Sequence, residues 1–117
     1  MNDFLLEFEE ELSEMTLGTL DLSTGTWTET HKTYGYMEDM SVASVWIIGR
    51  SQMKISHRLF IPLLDNVGES ISLEGNVYVV NKANFDWDTD TEEQLYKVQS
   101  YQPYRNHLYA LLESIEF

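Results

Sequence analysis

The amino-acid sequence predicts a mainly β protein, a small antiparallel barrel or sandwich with a short helix at each end. Three observations predict it. Lys54–Ala83 breaks into short strand-like runs separated by turn residues, Thr26–Tyr34 alternates like a half-buried strand, and helical spacing occurs only at the two chain ends. With 117 residues the chain forms a single domain, 1–117, large enough to bury a core without covalent staples.

Residues 1–15, MNDFLLEFEEELSEM, hold six acids and no base. Phe4, Leu5, Phe8, Leu12 and Met15 recur at helical spacing, which predicts an acidic amphipathic helix; the alternative is a frayed acidic tail. A β core is expected over 16–101. Leu17, Leu20 and Leu22 lead into the turn Ser23-Thr24-Gly25, and the next strand puts Trp27, Glu29 and His31 on one face against Thr26, Thr28 and Thr30. The segment 37–53 reads as a long loop containing a short strand at Ser44–Ile48, because Val42, Val45, Trp46, Ile47 and Ile48 are too crowded for one clean period.

The run KISHRLFIPL places Ile55, His57, Leu59, Ile61 and Leu63 on one face, and Pro62, which has no N–H for a ladder, marks its end. Asp65-Asn66-Val67-Gly68 is turn chemistry, followed by a short strand at Ser70–Leu73, a reversal at Glu74-Gly75-Asn76 and the strand Val77–Val80. NFDWDTDTEEQ reads as an acidic loop and Leu95–Tyr101 as another strand. A C-terminal helix is predicted over 103–116, since Leu108, Leu111, Leu112 and Ile115 fall at i, i+3, i+4 and i+7 after Pro103.

Composition removes several functions. Without cysteine there is no disulfide scaffold, zinc–thiolate site, Fe–S cluster or thiol nucleophile. Twenty acids against seven bases give a net charge of −13, which repels nucleic-acid phosphate and anionic lipid. No apolar run approaches membrane-spanning length and the N-terminus lacks the basic residues of a signal peptide, so a cytoplasmic origin is expected.

No catalytic, cofactor or metal site is expected. Asp86, Asp88 and Asp90 open like a calcium loop, but Thr91 and Lys97 stand where that loop needs glycine and a bidentate acid. His31, His57 and His107 show no metal-ligand spacing, and neither a nucleophile elbow nor a phosphate-cradling glycine loop occurs. The remaining candidates are contact residues. Met40, Val45, Trp46, Ile47, Ile48, Arg50 and Met53 form either a core strand with its loop or an assembly surface. Tyr104, with Tyr34, Tyr36, Tyr101 and Tyr109, suits either a protein contact or the closed end of a barrel.

From Ser23 to Tyr101 the order of features resembles the head-closure (head–tail joining, or connector) proteins of long-tailed bacteriophages. The residues that carry the resemblance are the turn and Trp strand STGTWTET, the apolar segment ending in Gly49-Arg50, and Ser56-His57-Arg58-Leu59-Phe60-Ile61. Glu74-Gly75-Asn76-Val77-Tyr78-Val79-Val80 and Tyr96-Lys97-Val98 complete it. The acidic N-terminal segment and the C-terminal leucine helix depart from the simplest members. The resemblance implies a non-enzymatic ring in the virion, assembled in the host cytoplasm, that meets portal or adaptor and tail proteins and lets DNA pass without sticking. It also makes 42–53 a ring-contact loop that orders on assembly. The competing reading is an acidic DNA-mimic inhibitor or adaptor that binds a nucleic-acid enzyme, and a small-ligand barrel is a third.

Overall fold

The computed structural model describes residues 12–21, 23–48, 51–86, 88–90 and 94–115, and for 41–48 and 51–54 the backbone alone. Six antiparallel strands close into a barrel in the order β1-β2-β3-β6-β5-β4. They are β1 (Ser13–Asp21), β2 (Thr26–Ile48), β3 (Ser51–Ile61), β4 (Val77–Val80), β5 (Leu95–Pro103) and β6 (Leu108–Ile115). The seam is the β1–β4 pair, Thr16 opposite Val80 through Thr19 opposite Val77. Closure leaves the barrel proper without a free edge.

Alternation fills the interior. Met15 and Leu17 from β1, Leu59 and Ile61 from β3, Val77 and Val79 from β4, Val98 from β5, and Leu108, Ala110 and Leu112 from β6 form one buried cluster. Ile71 and Leu73, on the β3–β4 connection, also pack into it. A second, smaller cluster lies on the outer face of β4 and its neighbours: Leu20, Tyr78, Val80 and Leu95, covered by Trp27, Phe85 and Ile115. The Trp27 and Phe85 rings meet edge-to-face at 5.2 Å. Gly18 makes room for this layer, because a Cβ there would lie 2.6 Å from the Trp27 ring and 2.5 Å from the Thr28 carbonyl oxygen.

Where the described residues cover the expected helices, they form strands. Among the described residues there is no helix. Ser13–Met15, the end of the predicted N-terminal helix, begins β1, with Met15 fully buried opposite Thr33; residues 1–11 lie outside the described residues. The predicted C-terminal helix over 103–116 is β6, preceded by the end of β5 at Pro103. Leu108, Ala110 and Leu112 satisfy a period of two as well as Leu108, Leu111, Leu112 and Ile115 satisfy 3.6. The tertiary demand decides, because β6 fills the place between β3 and β5 that a helix would leave as two open edges.

The long loop expected around 37–53 is also corrected. Met37–Ile48 continues β2, and β3 begins at Ser51. The crowded period has a backbone cause: between Asp39 and Ser44 the register shifts, so that Met40–Ala43 face Ser56 alone. Ser70–Leu73, expected as a strand, contributes only the single bridge Leu64–Ser70. Its apolar residues are buried without joining a ladder.

Candidate interaction surface

Beyond the bulge, β2 and β3 run on as a two-stranded arm with Ser44 opposite Ile55, Trp46 opposite Met53 and Ile48 opposite Ser51. The pairing of β2 with β1 ends at Gly35 and that of β3 with β6 ends at His57. Among the described residues, no strand therefore pairs with either outer edge of the arm. A two-stranded ribbon is marginal by itself in water and its open edges invite pairing. Its sequence is apolar and acid-free: from Met40 to Leu64 no Asp or Glu occurs, while Arg50, Lys54 and Arg58 do.

The structure gathers most of the predicted contact residues onto this element. Val45, Trp46, Ile47, Ile48 and Met53 belong to the arm backbone, and Met40 sits half-buried in the bulge at its base. Arg50 lies outside the described residues. Tyr104 is elsewhere, on the β5–β6 turn beside the opposite end of β3, where Ile61 pairs with Leu108.

Between arm and turn the outer wall carries an aromatic row. Tyr36 stands opposite Phe60 and Phe60 opposite Tyr109, so three strands each contribute one ring. The Tyr36–Phe60 and Phe60–Tyr109 centroids are 6.0 and 5.1 Å apart, and His107 links the row to Tyr104, on which it stacks at 4.9 Å. Beside the row, Arg58 donates to the Glu38 carboxylate, which with Tyr109 holds its guanidinium pKa above the ordinary value. Paired strands thus assemble tyrosines that are scattered in sequence.

At the Tyr104 end lies an open groove of about 750 Å³ lined by Tyr34, Pro62, Leu63, Leu64, Asp65, Asn66, Gly68 and Asn106. Tyr34, Leu64, Val67 and Tyr104 are 40, 51, 80 and 52% exposed, and among the described residues they are the exposed large apolar side chains. Sequence periodicity misses Leu64 and Val67 because they belong to a turn rather than to an element with a face.

The groove wall is held by an aspartate. Asp65 Oδ1 accepts the backbone N–H groups of Val67 (3.0 Å) and Glu69 (2.9 Å), and Oδ2 lies 2.6 Å from His31 Nδ1. The bond to His31, with these amides, lowers the Asp65 pKa although burial opposes it. Gly68 takes φ +86°, which the turn requires, and Asn66 N–H bonds the Lys32 carbonyl, tying the turn to β2. Among the described residues, His31, Asp65 and Glu69 are the one group whose potential ligand atoms lie within 4.8 Å of one another. With Oδ1 on two backbone amides and Oδ2 against His31, Asp65 clamps the 65–69 turn to β2.

The other polar constellations are also structural. Ser56 Oγ accepts the Ser114 N–H at 2.8 Å and lies 2.9 Å from His57 Nδ1, while His57 Nε2 is 3.8 Å from exposed Asp39. Ser56 thus closes the β3–β6 ladder past its last pair. Asp90 accepts from Lys82 and from the Asp86 N–H, and Asp86 accepts from the Asp88 N–H, so this acidic turn is stabilised from within. No protein-family model and no curated protein matches the chain.

Proposed function

We propose that this chain is a non-enzymatic structural protein of a phage neck, which joins head to tail as an oligomeric ring and extends the DNA channel. The observation that carries the reading is the two-stranded arm: a closed barrel has no need of it, and its apolar, open-edged ribbon suits contact with another chain. The aromatic row and the exposed tyrosines supply further contact area of the kind that interfaces favour. The net charge of −13 fits a lumen through which DNA slides without being pinned. In this reading the partners are further copies, portal or adaptor proteins on one side and tail proteins on the other. The protein acts within the virion after assembly in the host cytoplasm.

The test is the solution mass of the purified chain, alone and mixed with portal-type and tail-type components. Incorporation into a large ring supports the reading. A chain that ignores those components but captures a nuclease or polymerase is a charge mimic instead. Against that outcome, Asp65, Asp86 and Asp90 direct oxygens into their own turns instead of holding them all outward as phosphate substitutes.

A further inference from the structure

We infer that copies of this chain join head to tail, with the β2–β3 arm of one copy seated in the groove between the 62–68 turn and the β5–β6 turn of the next. This rests on the self-association part of the preceding reading and names the two surfaces that meet.

Three observations favour a second copy as the occupant. The first is position. The arm extends from the Ile55 end of β3, whereas the groove lies past Ile61, at the other end of the same strand. The seven residues from Ile55 to Ile61 span about 20 Å of extended chain, so the arm of one copy points away from its own groove. A patch at each end of one strand makes a heterologous contact, which closes into a ring when the rotation allows and otherwise grows as a filament.

The second is chemistry. The arm segment carries Val45, Trp46, Ile47 and Ile48, and the groove is walled by Pro62, Leu63 and Leu64. Exposed apolar side chains stand beside the walls, at Val67 and Tyr104. The third is charge. The arm strands have Lys54 and no acid, whereas Glu14, bonded to Tyr34, stands on one side of the groove and Glu69 beyond the Asp65 turn on the other. In a chain this acidic, two like copies repel over most of their surface, and an acid-free arm facing a carboxylate rim is where attraction can be concentrated.

The chain has no cysteine, so one introduced thiol reports one position. Gln52→Cys on the arm is mixed under mild oxidation with Leu64→Cys in the groove, and separately with Thr28→Cys, an exposed position on β2 away from it. The expected result is roughly tenfold or more 52–64 heterodimer than 52–28 heterodimer, as the high effective concentration of a seated contact dictates. Equal yields overturn the inference, and so does a predominance of 52–52 dimer, which would mean that arms pair with arms. Circular dichroism of each variant confirms the fold. The wild-type mass measurement separates the two levels: rings without the 52–64 link overturn this contact and leave the ring standing, whereas a chain that stays monomeric with every neck component overturns both.

Discussion

β4 and the β2–β3 arm are opposite solutions to the same problem of burying a strand. All four residues of β4 are buried: Val77 and Val79 face the barrel interior, and Tyr78 and Val80 face an outer layer built from Leu20, Leu95, Trp27 and Phe85. It is hydrogen-bonded on both edges, to β1 and β5. Each arm strand, in contrast, has one partner, and none of the described strands lies beyond it. The chain buries all four residues of β4 yet carries ten described residues, Ser44–Ile48 and Ser51–Ile55, into the arm. Stability is therefore concentrated at the β4 side, and the arm is built for another purpose.

The largest effect should come from breaking the backed side. Val79→Asp places an unpaired carboxylate in the barrel interior and should cost about 3–5 kcal/mol, enough to abolish a cooperative thermal transition. Trp27→Ala removes only the outer layer. With Trp27 half-buried, the expected loss is about 2–3 kcal/mol, read as a lower denaturant midpoint with the barrel retained.

Acid should weaken the fold in two steps, neither centred on β4. Burial pushes the pKa values of His57 and His107 below 6.5, so the unfolded chain takes up these protons first and stability falls as pH drops from 6.5 towards the folded values. Asp65 is shifted below 3.8 by His31 and the turn amides; its contribution is present above pH 3.8 and is lost as pH falls through the folded value. A stability–pH curve of His57→Gln should lose part of the first step, and one of Asp65→Asn part of the second, the remainder belonging to Asp21 and Asp90, whose carboxyls are also held below the ordinary value.

The smallest effect on stability should come from the arm. Replacing 45–54 with a tight Asn-Gly turn, which keeps the Ser44–Ile55 pair and the fully buried Ile55, should shift the melting temperature by only about 2–4 °C while abolishing self-association. In the intact free chain, arm amides should exchange with deuterium well before those of β4. An arm as protected as β4 in the monomer would remove the contrast.

The sequence reveals strands most clearly where alternation is undisturbed. Ile55, Leu59 and Ile61 are buried as their spacing predicts, Pro62 follows the last residue of β3, and Val77–Val80 is β4. It misleads where one pattern fits two periods, as at Leu108–Ile115, and there the open places beside β3 and β5 choose the strand. It also misleads across Met40–Ala43, where a bulge shifts the register and erases the period that would have revealed β2. Of the contact residues, the apolar run at Val45–Ile48 is legible from composition. The groove is not, since it joins Tyr34, Leu64 and Asn106 from three separate parts of the chain.

Barrel closure also sets an order of events in time. The seam joins Thr16 to Val80, and β3 meets β6 through Ile61 and Leu108, so both require long stretches of chain to be brought together. The β2–β3 turn needs only the short span between Ile48 and Ser51. Hairpins form in about 1–10 μs, whereas topologies dominated by distant strand pairs take milliseconds to seconds. On these timescales the arm can pair before the barrel closes, and its apolar open edges would then meet sister chains. Refolding yield should accordingly fall with rising protein concentration, and the arm-shortened variant should be spared.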